Sequence, residues 1–409
     1  MKKAGGFLIG LAVFVFCLGI TGCNNKSGTQ SQAGNTGAVP ATPPADWRTA
    51  FNLYDDGTSV ITVSSDDAGM DDCVTLNTIA FRGGTIVVGG VDVLGKRSLL
   101  SDSWLGYSKD MGRTWKVVDN NLRNIDFVLY GNGNFIAGGP DPDWNFSTLN
   151  SPDCVSWTAN TNGNIFTNGI GTTSSGNGTF AAGDKWSLGV STDGINWDAQ
   201  DITFGDSDSA KICGIACGDT AVAAVAGTGE LVCSQDMGKT WQTEPLFDGQ
   251  LFAVAYGGGA FVAGGRASED NPNNVFTSSD GVNWAGTSCV VDNVVVIAYG
   301  GKTFVAGGQS YTGGSVLSCS GDAGVTWQSA AGTFPADCHI TCITYADAYF
   351  VAGDDSGNVY YSGDNGKSWE AVQVFNSTWR GNAINTIVFD GETFAALAGN
   401  GQISYTRAR

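Results

Sequence analysis

The chain has 409 residues and carries 39 Asp and Glu against 20 Lys and Arg, a formal net charge of −19 at pH 7. A surface this negative repels nucleic acid and anionic headgroups, so no nucleic-acid partner is expected. Hydrophobic residues make up 42% of the chain, which is ample for a large core.

In chain order, the first predicted element is an export signal over residues 1–23. Lys2 and Lys3 form its positive end, and Phe7 to Leu18 its apolar stretch, too short to span a membrane comfortably. Ile20-Thr21-Gly22-Cys23 resembles the lipobox of bacterial lipoproteins. That resemblance implies lipidation at Cys23, and two or three acyl chains give stable anchoring. Asn24 follows where Asp is the usual inner-membrane retention signal, so the outer membrane or cell surface is the expected location. Residues 24–46 are Asn, Ser, Gly, Thr, Gln, Ala and Pro with almost no large apolar side chain, and read as a flexible tether.

From residue 47 to 409 one phrase recurs seven times, a Ser-x-Asp turn followed by a Trp. It pairs Asp110 with Trp115, Asp153 with Trp157, Asp193 with Trp197 and Asp236 with Trp241. The series continues with Asp280 and Trp284, Asp322 and Trp327, and Asp364 and Trp369. The Trp residues lie 40 to 44 positions apart, the period of a repeat architecture. Within each period an apolar strand such as Val294 to Tyr299 is followed by a Gly/Asn turn such as Gly131-Asn132-Gly133-Asn134. A second strand ends in Gly-Gly, as in Phe304-Val305-Ala306-Gly307-Gly308, and a variable loop leads to a third strand, the Asp turn and a fourth. Short strands without helical periodicity argue an all-β fold, and four strands per period make one propeller blade.

The first-and-second-strand pair occurs eight times, starting near residues 76, 124, 164, 212, 251, 293, 340 and 384. The last copy stops after its third strand, and Trp47-Arg48-Thr49-Ala50 is expected to supply the fourth, closing the ring through both chain ends. Eight blades is the expected count. Phe51 to Gly69 reads as a hairpin decoration, though as a decayed repeat it would permit a seven-bladed closure.

The repeats resemble those of the Asp-box, or BNR-repeat, propellers, a superfamily that includes sialidases, sortilin-type receptors and the photosystem II assembly factor. The resemblance implies that each Asp box is a structural turn, and the chemistry agrees. Ser and Asp side chains accept from nearby backbone N–H groups, and Gly takes the left-handed position. Sialidase activity is not expected, because no Arg-Ile-Pro occurs and several Arg lie in turns or at the terminus.

The Asp turns and the variable loops fall on opposite faces. The candidate binding face carries Trp104, Trp144, Trp186, Tyr311 and Trp379, with Arg97 and Arg266. Four of these Trp fall outside the repeat register, which suits stacking on a sugar or anchoring a protein partner. The same face carries the acidic candidates Asp141, Asp143, Asp354 and Asp355. The favoured function is therefore a non-catalytic, envelope-anchored propeller that binds or scaffolds a protein or glycan. The alternative is a glycoside hydrolase using two of those carboxylates. No catalytic residue is singled out, and His339 stands in a loop without a nucleophile motif. No cofactor is expected. Asp66-Asp67 with Asp71-Asp72, or Asp141 with Asp143, could hold Ca²⁺, but neither has EF-hand spacing, and solvated loop charge is the reading taken. Of the eleven Cys, most read as small core residues, and a disulfide between Cys289 and Cys338 stays open.

Overall fold

The computed structural model describes residues 19–20, 48–51, 74–92, 103–110, 112, 114–160, 166, 170–202, 211–245, 249–269, 271–311, 316–375, 382–399 and 403–407. Cys23, the tether, the 52–73 segment with its acidic run, Arg97 and Trp379 lie outside the described residues.

Every regular element described is a β-strand. The strands form five four-stranded sheets, one five-stranded sheet and one eight-stranded sheet. The eight-stranded sheet is two four-stranded units joined at one point, Arg266 opposite Asn293. The five-stranded sheet is one unit with Gly19–Ile20 added in parallel along its first strand. Innermost strands pack each against the next, and Val74–Arg82 of the first unit packs against Ile384–Phe389 of the last. The fold is a β-propeller. The described strands fall into eight units, labelled blades 1 to 8 in chain order, spanning 74–117, 127–160, 172–201, 212–245, 250–287, 293–329, 340–373, and 384–407 with 48–51.

Blade 8 closes the ring as the sequence suggests. Arg48–Phe51 is its outermost strand, with Arg48 opposite Tyr405 and Thr49 opposite Ser404. Chain ends that share one sheet leave no open seam between first and last blades.

Two repeated local features explain how the blades pack. In blades 1, 2, 3, 5, 6 and 7 the hairpin turn between first and second strands puts both central residues in the left-handed region, as at Asn132 (φ 49°) and Gly133 (φ 85°). That is the turn whose twist matches paired strands. Beside these turns, Tyr299 lies on Gly257 of the preceding blade and Tyr345 on Gly300, where an added Cβ would come within 2.0 Å and 1.9 Å of the ring. The Gly-Gly strand ends have a second cause. The first Gly lies under side chains of the next blade, as Gly264 does under Val294 and Ile297. The second crosses a carbonyl of its own hairpin partner, as Gly308 does at Asn293 O.

The core lies between the blades. One cluster joins Leu76, Val88 and Trp104 of blade 1 to Val388 and Leu397 of blade 8. Another joins Ala216 and Val225 of blade 4 to Val254 and Phe261 of blade 5.

Candidate functional site

The Asp turns form one face, and their chemistry is uniform. In all seven, the Ser hydroxyl donates to the Asp Oδ1 at 2.8 to 3.1 Å. In blade 1, Gly112 N–H donates back to Ser108 Oγ at 2.8 Å, while Thr114 N–H and its hydroxyl donate to the two Asp110 oxygens at 2.8 and 2.7 Å. Blade 4 repeats this around Asp236 and blade 6 around Asp322. The shorter turns use the backbone N–H groups two and three residues after the Asp instead, as Ile195 and Asn196 do at Asp193. Five of the Trp side chains donate to the carbonyl three residues back, among them Trp284 to Gly281 O at 2.9 Å. These carboxylates are therefore occupied in holding turns.

That occupancy shows in their acidity. The Thr240 hydroxyl and N–H, then the Ser234 hydroxyl, hold the Asp236 carboxyl down at about 2. The Asn283 N–H and amide, with the Val282 N–H, hold Asp280 well below the usual carboxylate range. A carboxyl whose pKa is depressed on folding adds stability above its unfolded value and loses it as pH falls through the folded one. Stability is thus expected to be level at neutral pH and to fall between about pH 4 and pH 2. Urea midpoints across that range should show a flatter acid limb for Asp236→Asn than for the wild type.

The opposite face carries the variable loops, and among the described residues three exposed aromatic rings stand on it, each beside a cation. Arg123 lies over Trp144 at 4.6 Å from the ring centroid, Lys185 over Trp186 at 4.4 Å and Arg266 over Tyr311 at 5.2 Å. The rings are 65%, 41% and 53% exposed. All three sit in loops between a second and a third strand.

Side-chain-to-backbone bonds fix each loop. Asp141 accepts from the N–H groups of Asp143 and Asn145 at 2.9 and 2.8 Å. Asp184, fully buried, accepts from Trp186 and Ser187 N–H at 2.7 and 2.5 Å. Asp292 accepts from Tyr311 N–H at 2.6 Å. Trp144 itself has φ 66°, a left-handed conformation that costs a non-Gly residue roughly 1–2 kcal/mol. An exposed cation–π contact returns only about 0.5–1 kcal/mol. The turn that carries the ring is closed by Trp144 N–H to Asp141 O at 3.0 Å and by Asp141 N–H to Asn145 O at 2.7 Å.

The acidic candidates separate in the structure. Asp354 is fully buried and binds five donors from Ser356, Asn358, Tyr360 and Cys338. Asp141 holds its own turn. Asp143 is exposed, and Asp355 meets His339 at 3.1 Å. Asp143 and Asp355 stand on blades 2 and 7, not on a shared loop. Among the described residues no group of three His, Cys, Asp or Glu is placed to hold a metal ion.

Trp104 is not on the surface: at 2% exposure it lies across Gly106 in the core between blades 1 and 8. Its place opposite Gly90, on the side of its strand that packs against blade 8, buries the ring. The eight described Cys are all reduced. Cys289 and Cys338 belong to different core clusters, and the Cys338 thiol faces Asp354 and Tyr360, so the open disulfide does not form. Burial pushes the Cys338 thiol up to about 12, which leaves it unreactive.

Sequence reasoning missed Arg123, and it set Asp184 on the variable loop of blade 3 without a role, although Gly183-Asp184 and Gly353-Asp354 share a strand-end pattern that marks buried turn acids. It also missed Asp126, just before the first strand of blade 2. Burial pushes that carboxyl up to about 6, against hydrogen bonds from Ile170 N–H and Asn124 and the charge of Lys211.

No protein-family model matches the chain, and no curated protein matches it. Solved structures do resemble it. The computationally designed Ika8 protein aligns with a TM-score of 0.60 at 12% identity, over 82% of this chain and 96% of that one. Sqt1 from Chaetomium thermophilum, bound to the N-terminus of the ribosomal protein L10, aligns with a TM-score of 0.59 at 13% identity, over 82% and 98%. YCF48 bound to D1 peptide aligns with a TM-score of 0.50 at 12% identity, over 83% and 93%. At such identities the likeness shows the fold alone.

Proposed function

We propose that this chain is a non-catalytic binding propeller that presents its variable-loop face to a protein partner. One observation carries the reading: three solvent-exposed aromatic rings, each beside a cation and each on a loop pinned by an Asp, all on one face. Large rigid rings beside Arg or Lys are what protein hot spots are made of. The exposed aliphatics of the other face, Val155, Ile195 and Val325, stand one to a turn on separate blades, and scattered residues of that kind are ordinary surface. Two structures of similar fold were solved with a peptide or protein terminus bound, and we extend that mode of use to this chain. We place the chain among the Asp-box propellers on its seven Ser–Asp turns. We also place it at the cell envelope, on a lipid at Cys23 and a tether over 24–46.

The carboxylate pair needed for glycoside hydrolysis is weakly served here, because Asp354 and Asp141 already act as turn acceptors. The test is affinity capture from solubilised envelope with the tagged chain as bait. A defined protein should be recovered, and Trp144→Ala, Trp186→Ala and Tyr311→Ala together should reduce its recovery about tenfold or more, since an aromatic anchor is commonly worth about 2 kcal/mol. Equal recovery by that triple variant, with loss on Thr326→Ala in an Asp turn, would place binding on the opposite face and overturn the reading.

A further inference from the structure

Each blade's innermost strand has one neighbour within its own unit, which leaves its other edge facing the central channel. An open edge is a template for another strand, and proteins blunt such edges with bulges. Six innermost strands carry a register shift near the variable face, at Asn77, Cys213, Phe252, Val295, Thr341 and Asn385. Blades 2 and 3 pair without one.

Blade 3 departs further. Its innermost strand, Thr172–Gly176, reads Thr-Thr-Ser-Ser-Gly. The corresponding positions of blades 1 and 6 are Ile79-Ala80-Phe81 and Ile297-Ala298-Tyr299. Thr173 and Ser174 are buried to 1% exposure, so hydroxyls fill positions where other blades pack apolar groups. Thr173 Oγ1 has no hydrogen-bond partner among the described residues. A strand with so little apolar packing depends more heavily on its backbone ladder.

That ladder is extended in the structure. Gly19–Ile20 pairs with the blade 3 edge in parallel, Gly19 opposite Ser174 and Ile20 opposite Ser175. The same two residues lie against the innermost strands of blades 4 and 6, which places them in the channel. In the lipoprotein proposed here they belong to the apolar leader that processing at Cys23 removes, and removal frees the edge.

We propose that the innermost strand of blade 3 is a strand-addition site. In the processed chain it takes an extended, uncharged segment of a partner polypeptide as a parallel strand inside the channel. Backbone hydrogen bonds supply the hold. The site uses none of the loop-face aromatics, so it stands or falls separately from binding at that face.

Amide hydrogen exchange tests this on the full chain and on the chain beginning at residue 23 with Cys23→Ser. The shorter chain keeps every strand of the eight units, because ring closure begins at Arg48. The added probe is a synthetic peptide of residues 16–23 carrying Cys17→Ser and Cys23→Ser. Amides of 172–176 not bonded to the second strand should exchange at least about tenfold faster in the shorter chain and regain protection with the peptide. The other innermost strands should not respond. Ser175→Lys, which puts a charge on the edge, should abolish the peptide's effect, and Trp144→Ala should leave it intact even if it abolishes capture by the loop face. Equal exchange in the two chains, no protection at saturating peptide, or protection centred on another blade each overturns the proposal. The unsubstituted chains decide this even if Ser175→Lys fails to fold.

Discussion

Asp354→Ala is expected to lower stability by about 3–5 kcal/mol, the loss typical of stripping a buried charged group from its partners. The carboxylate is inaccessible to water, and its oxygens accept from Ser356 N–H at 2.9 Å, Asn358 N–H at 2.7 Å and the Asn358 amide at 2.7 Å. Tyr360 donates its hydroxyl at 2.9 Å and Cys338 its thiol at 3.6 Å. Removing the acceptor strands the Tyr360 hydroxyl in a site that is 1% exposed, with the Cys338 sulfur, 3.5 Å away, as its remaining partner among the described residues. Asp355→Ala, one residue on, removes a half-exposed contact to His339 and an exposed bond from the Ser356 hydroxyl at 3.3 Å, and should change stability by no more than about 0.5 kcal/mol. Urea midpoints at constant m-value measure both. Equal losses at the two positions would contradict the assignment of Asp354 to the turn.

Gly308→Ala is the second large effect, at about 3 kcal/mol. A Cβ there would lie 1.9 Å from the Asn293 carbonyl oxygen, and the matching distances are 1.8 Å at Gly265 and 1.9 Å at Gly139. The obstacle is backbone, so no rotamer change relieves it. In blades 5 and 6 it sits at the register shift of the first strand, where the bulged chain turns toward its partner. Gly133→Ala makes the comparison fair: φ is 85° but nothing lies within 4 Å of the added carbon, so the change should cost only about 1–2 kcal/mol. If Gly308→Ala costs no more than Gly133→Ala, steric closeness is not why these strands end in Gly-Gly.

The repeat made the architecture legible. A Ser-x-Asp turn closes on itself within a few residues, so its seven bonds could be read from spacing alone. The closing strand was legible because the last period lacks one, and Arg48–Phe51 supplies it one residue along from the expected span. The candidate site was legible only in part. Trp104 and Trp144 look alike in the sequence, yet one ring lies over Gly106 and the other stands in solvent on a left-handed residue. Which way a ring faces depends on strand register, and a variable loop hides the register of the strand after it. Asp354 and Asp355 are neighbours with opposite fates for the same reason. Arg123 escaped notice because its aromatic partner, Trp144, is defined by packing across loops.

The central claim is that binding belongs to the loop face. The most direct test places a photo-crosslinking residue at Lys185, beside Trp186, and in a second chain at Lys239, in the Asp turn of blade 4, followed by illumination of intact cells. A defined protein adduct is expected from position 185 and none from position 239. Adducts only from position 239 would contradict the claim and move the binding surface to the Asp turns.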